Sequence, residues 1–205
     1  SSQKSDVKKY LEMLCSKEGI KLIYLWKQLG LTAARNMGLE VSSGDICLFI
    51  DDDVVLDEGY IEEIVKIFTS EIGKKCGGVT GLIIEHEKRS RARRVRERIR
   101  KRLYRIFATL FLLPRPGNGR FLPSGNPTVI DSDADSPIIC EYLHGSNMAF
   151  RREVILKYKF DENLKGPCLG EDDDVAYRIS RKYWNVFTPH AKVIHKHSPK
   201  ARLNR

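Results

Sequence analysis

Asp51, Asp52 and Asp53 follow directly on the apolar run Ile46-Cys47-Leu48-Phe49-Ile50, and consecutive acids at the end of a buried strand are the raw material of a metal site. The run, entered from Gly44-Asp45, predicts a buried strand of an α/β sheet. Ligands in such sheets bind just beyond the carboxyl ends of the strands, where the acids fall. If extended geometry persists, Asp51 and Asp53 point one way and Asp52 the other. Two carboxylates about 4 Å apart repel by about 4 kcal/mol at an effective dielectric of about 20, and a hard divalent cation would remove that repulsion. The triplet alone leaves a second reading open, an acidic loop feeding a helix that Asp57 caps.

A second acidic group lies far downstream, in Gly170-Glu171-Asp172-Asp173-Asp174. It predicts a helix start, with Val175, Ala176, Ile179 and Tyr183 as the buried stripe. Compensation of the helix dipole and an Asp174–Arg178 pair explain part of the cluster. Four acids exceed what capping requires, and a carboxylate held among like charges is a candidate general base. Near the end, alternation along Val186 to His197 places Val193, His195 and His197 on one side, where an imidazole can join a carboxylate-bound metal. Between these groups, Tyr142 to Arg152 predicts a strand that breaks at Gly145, where backbone can approach a ligand closely. Asn147 there offers both a donor and an acceptor to a hydroxylated ligand.

The elements that must hold these residues alternate along the chain. An amphipathic helix (Val7, Tyr10, Leu11, Leu14) leads to a strand at Ile20 to Trp26. A helix of small residues from about Leu31 to Val41 precedes the strand ending at Asp51, and a helix from Glu58 to about Ile72 follows it. This order predicts a mostly parallel α/β sheet flanked by helices. At 205 residues, 41% hydrophobic and 31% charged, the chain suits one domain with a real core. Its five cysteines are scattered, with no zinc-type spacing, and read as reduced thiols of a cytoplasmic protein. The chain opens without an initiating Met and reads as the middle of a longer polypeptide.

Much of the formal charge of +9 sits between Lys88 and Arg105, where Glu97 is the only acid. Val95, Ile99, Leu103 and Ile106 recur there at helical spacing, ahead of an apolar cluster ending at Pro114. Such a helix can lie on an anionic membrane or cover the domain as a solvated flap. Nucleic acid is the weaker third reading, because no aromatic platform accompanies the charge. Residues 114 to 137, rich in Pro, Gly, Ser, Asn and Asp, predict a long loop, so an insert and loop span about 86–137 of a single domain, 1–205.

Read together and in order, these segments resemble the family 2 glycosyltransferases, inverting enzymes with the GT-A fold. Gly30-Leu31-Thr32-Ala33-Ala34-Arg35-Asn36-Met37-Gly38 resembles that family's helix start beside the nucleotide, and Gly44 to Asp53 its strand and DxD motif. His144 to Arg152 is similar to its acceptor-side segment. Gly170-Glu171-Asp172 with Asp174 and Arg178 resembles its ED motif, and Ala191 to His195 its metal-binding terminal segment. The resemblance implies sugar transfer from a nucleotide-sugar donor to a hydroxyl of a glycan, lipid-linked or protein acceptor, with inversion. It implies that Asp53 and His195 bind Mn²⁺ or Mg²⁺ and that Asp172 is the base. Asp51 would contact the ribose, Arg35 would lie against the nucleotide, and Asn147 and Glu171 near the acceptor. Asp52 joins the donor side, with a structural role as its alternative. Family members also begin with a strand-helix-strand unit that this chain lacks. The resemblance therefore implies a fragment with half a donor site, which can be inactive as it stands. A metal-dependent nucleotidyltransferase and a basic RNA- or membrane-binding module are the competing readings.

Overall fold

The computed structural model describes residues 2–25, 27, 29–84, 107–108, 111, 116–130, 133–164 and 170–196. The basic stretch Lys88 to Arg105, Cys168 and His197 lie outside the described residues. Helix α1 (Ser2–Lys17) is followed by α2 (Leu31–Val41), β1 (Ile46–Ile50), β2 (Val54–Leu56), α3 (Tyr60–Thr69) and β3 (Cys76–Ile84). Short strands β4 (Pro116–Gly117), β5 (Val129–Ile130) and β6 (Ile138–Cys140) precede β7 (Asn147–Arg151), α4 (Arg152–Tyr158), α5 (Glu171–Ser180) and β8 (Trp184–His195).

The main sheet runs β1-β7-β3-β8-β2, with β6 also on β8. β8 is 12 residues long, and its second edge is shared by β6, against residues 185–187, and β2, against residues 193–195. The expected α/β class holds, with helices on both faces, but the described pairings are mostly antiparallel. Within the main sheet, among the described residues, only β3 and β8 pair in parallel, while β1·β7, β3·β7, β2·β8 and β6·β8 are antiparallel. The alternation of helix and strand does fix one direction, since β1, β3 and β8 all run the same way. What it does not encode is β7, which enters from a turn and inserts in the opposite sense between β1 and β3.

Period-two alternation on β7 sends Met148 and Phe150 to one face and Ala149 to the other. On the first face they join Leu39 of α2, Val154 and Ile155 of α4, and Val175, Ala176 and Ile179 of α5. On the second, Ala149 meets Val79, Val186 and Val193 under the stripe Tyr60, Ile64, Ile67 and Phe68 of α3. That stripe follows helical spacing, and its helix starts after Gly59 in a left-handed conformation rather than at an Asp57 cap. The small-residue helix α2 forms where expected. Its buried Asn36 donates from Nδ2 to Phe160 O and accepts from Phe160 N–H, both at 2.9 Å, which ties it to the segment after α4.

Two expected strands differ. Residues 20–25 pair with none of the described strands. Val7, Tyr10, Met13 and Leu14 of α1 are likewise exposed. Residues 142–146 form a turn rather than the start of a strand, so β7 begins only at Asn147. The predicted loop after Pro114 holds β4 and β5 and little other regular structure.

Asn147 is fully buried, and it is a structural lock. The β3·β8 ladder slips between Gly81 and Leu82, whose partners are Thr188 and Lys192. There the Asn147 Oδ1 accepts the Gly81 N–H at 2.6 Å and lies 3.1 Å from Thr80 Oγ1. Asn147→Ala leaves the Gly81 N–H without that oxygen inside the sheet, while the Thr80 hydroxyl keeps the main-chain oxygen of residue 147, to which it donates at 2.9 Å. An unfolding free energy lower by about 3 kcal/mol is expected in urea denaturation, and a loss below about 1 kcal/mol would contradict the lock.

Candidate metal and catalytic centre

The carboxyl ends of β1 and β8 and the start of β7 lie at one end of the sheet, because Ile50 pairs with Asn147 and Val54 with His195. Extended geometry stops at Ile50, and the chain turns through Asp52 and Asp53 with the Val54 N–H directed to Asp51 O at 3.3 Å. This turn, and not strand alternation, turns Asp51 and Asp53 to one place. β2 then pairs with the end of β8, and the Lys196 N–H donates to Asp53 O at 2.7 Å. His195 Nε2 consequently stands 3.1 Å from Asp53 Oδ1. One ligand atom each from Asp51, Asp53 and His195 lies within 4.8 Å of the others. Asp52 is exposed beside them and takes no part in this cluster.

Oxygen and imidazole donors of this kind can hold a divalent cation. The electrostatics fit as well. Burial pushes the Asp51 carboxyl above its ordinary range; Arg35 pulls it down and Asp53 pushes it up again. A divalent cation supplies the positive charge that this pair lacks.

On the other side of the β7 turn stands the start of α5. Asp172 Oδ2 accepts the Gly145 N–H at 2.8 Å, and its Oδ1 accepts the Asp173 N–H at 3.0 Å. A Cβ on Gly145 would fall 2.6 Å from Asp172 Oδ2, so the close approach expected at this glycine is made to Asp172. Glu171 is buried and accepts from Arg35 Nη1 at 2.7 Å; Arg35 also reaches Gly145 O at 3.3 Å and lies over the Phe160 ring. Arg35 and Glu171, expected on different substrates, are thus partners of each other. Asn147 was expected near the acceptor, and its side-chain oxygen is instead committed to β3. The expected Asp174–Arg178 pair is present at 2.7 Å.

The gain in proton affinity expected of this acidic cluster falls on Asp173. Burial, then Asp172 and Glu171, push its carboxyl to about 6. Asp173 also lines a cavity of about 740 Å³ with Phe121, Glu141, Tyr177 and Arg181. Sequence reasoning singled out neither this residue nor His144. The imidazole of His144, directly before Gly145, feels the charges of Asp172, His195 and Asp51. Its position one residue before the glycine break was the only available signal.

A mixed sheet between helices, with two carboxylate groups meeting at one sheet end, defines the GT-A class of glycosyltransferase folds. Two solved structures carry the comparison. GalNAc-T7 with UDP, GalNAc and Mn²⁺ superposes with a TM-score of 0.63 at 15% identity, over 96% of this chain and 36% of that one. The mannosyltransferase PcManGT from Pyrobaculum calidifontis, in complex with GDP-Man and Mn²⁺, gives 0.59 at 15% identity, over 96% and 45%. The chain therefore spans less than half the length of either. No curated protein sequence matches it. Residues 2–158 match the sequence profile of glycosyl transferase family 2, and the chain belongs to that family. The matched span contains Asp51, Asp53 and His144 but ends before Asp172 and His195, whose placement rests on the fold.

The raised Asp173 carboxyl has a signed consequence. Between its unfolded value of about 4 and its folded value of about 6 the native state binds more protons, so stability falls as pH rises through that window. The ionised group opposes folding fully above about pH 6 and not at all below about pH 4. Asp173→Asn should therefore raise the Tm at pH 7.5 by a few degrees, on the order of 1 kcal/mol after solvent screening, with the gap closing by pH 4. A gap that is independent of pH would refute the assignment.

Proposed function

We propose that this chain carries the catalytic residues of a metal-dependent, inverting hexosyltransferase that uses a nucleotide-sugar donor. The convergence of Asp51, Asp53 and His195 at the carboxyl ends of β1 and β8 carries the reading. Asp53 and His195 hold Mn²⁺ or Mg²⁺, and Asp51 stands where it can meet the ribose or complete the ligand set. When bound, the cation stabilises the negative charge that develops on the departing nucleoside diphosphate. UDP and GDP-Man bound with Mn²⁺ in the two structural neighbours support a diphosphate ligand.

Asp172 acts as the base. It takes the proton of an acceptor hydroxyl while that oxygen forms the new bond to the anomeric carbon and the bond to the diphosphate breaks, the electron pair leaving with the diphosphate. One base facing the donor across the β7 turn supports inversion. Hydrogen bonds from Gly145 and Asp173 hold the carboxylate, and the Arg35–Glu171 pair braces that turn behind it. The acceptor is a glycan, lipid-linked saccharide or protein hydroxyl. Among the described residues no helix is long and apolar enough to cross a membrane. The basic stretch Lys88 to Arg105 is the part of the proposal that would hold the enzyme to an anionic cytoplasmic membrane face.

In the full-length polypeptide, Asp53→Ala should abolish Mn²⁺-dependent binding of nucleoside diphosphates in calorimetry; undiminished binding would remove the metal assignment. Asp172→Asn should lower turnover by about 10²- to 10⁴-fold while donor affinity stays within about threefold. Full activity in that variant would move the base elsewhere.

A further inference from the structure

His144 stands between the two halves of the site, and the reaction above gives it no part. Its backbone is held from both sides, with its N–H donating to Thr80 Oγ1 at 3.2 Å and its carbonyl accepting the Asn147 N–H at 3.0 Å. The following residue, Gly145, binds Asp172, and Ser146 O accepts the Asp51 N–H at 3.2 Å. The two residues that follow His144 therefore touch the base and the end of the strand that carries the acids. The imidazole ring is oriented too. Ser146 presents its hydroxyl 2.9 Å from His144 Nδ1 and its backbone N–H at 3.4 Å from the same atom. A backbone N–H can only donate, so Nδ1 is the acceptor and the ring proton of the neutral imidazole sits on Nε2.

We infer that the Nε2–H of His144 donates a hydrogen bond to a sugar or phosphate oxygen of the donor, where the sugar joins the diphosphate. This rests on the transferase reading, which puts the sugar–phosphate bond between the cation ligands and Asp172. The ring lies in the fields of both groups. His144 keeps an exposed surface, and desolvation by the atoms packed around its ring, with His195 adding to it, holds the imidazole below its ordinary range against the pull of Asp172 and Asp51. Such a donor recognises oxygen without competing with the cation for its carboxylate ligands.

Calorimetry on the full-length polypeptide with Mn²⁺, using UDP, GDP and their sugar conjugates, tests this. His144→Ala should weaken binding of the sugar conjugate by about tenfold, the scale of one lost buried hydrogen bond. His144→Gln, whose amide N–H reaches towards the Nε2 position, should stay within about threefold, and Mn²⁺ affinity measured by electron paramagnetic resonance should not move in either variant. Equal weakening for the bare diphosphate locates the bond on phosphate, and weakening for the conjugate alone locates it on a sugar hydroxyl. Wild-type affinity in His144→Ala, with binding lost in Asp53→Ala, overturns the inference and leaves the transferase reading standing. Loss of Mn²⁺ affinity in His144→Ala makes the residue a metal ligand and also overturns it. Absence of Mn²⁺-dependent binding of every nucleotide by the wild type overturns the reading and the inference together.

Discussion

The antiparallel insertion of β7 between β1 and β3 is the constraint on which the site depends. Ile50 and Asn147 form the last rung of one ladder, so the chain leaves β1 and enters β7 at the same level of the sheet. One exit carries Asp51 and Asp53, and the other carries residues 144–146 with Asp172 hydrogen-bonded to Gly145. A β7 running parallel to β1 would put these two groups at opposite ends of the strands. Asn147 secures the arrangement from within, by filling the hydrogen-bonding gap where β3 and β8 lose register.

This placement concentrates negative charge in a small volume. Arg35 is the buried cation that answers it, and its closest partner is Glu171. Breaking a buried pair of this kind typically costs 3–5 kcal/mol. Asp51 and Asp173 hold their protons more tightly than usual, through burial first and the neighbouring carboxylates second. A cation answers the first of these carboxyls.

Much of this was legible in the amino-acid sequence, and the remainder follows a physical pattern. The apolar run before Asp51, the helix from Leu31 and the helix after Gly170 announce themselves by local periodicity and punctuation; the first two form with the expected bounds, and the third ends at Ser180, before the Tyr183 of its expected stripe. Strand direction was legible only where a helix links two strands, so β1, β3 and β8 agree while the turn-fed β7 does not. Residues 20–25 have strand composition, yet a strand needs a neighbour, and composition does not report whether one is present. Side-chain partners across long separations were the least legible: Arg35 with Glu171 and Asn147 with Gly81 are products of tertiary geometry. His144 escaped notice for the same reason.

The ladder between β2 and β8 has a further consequence. β2 is three residues long and closes the edge of the sheet, and its first rung, Val54 to His195, is the one that sets the imidazole against Asp53. Beyond the slip at Gly81, β3 holds β8 again as far as Ile194, and His195 itself is paired with Val54 of this short edge. Short edge ladders open locally at little free-energy cost, well below global unfolding. An ion bound by Asp53 and His195 would cross-link the two strands at their loosest point and would be released when they part. Cation binding and the order of the sheet edge would then be coupled through this one rung.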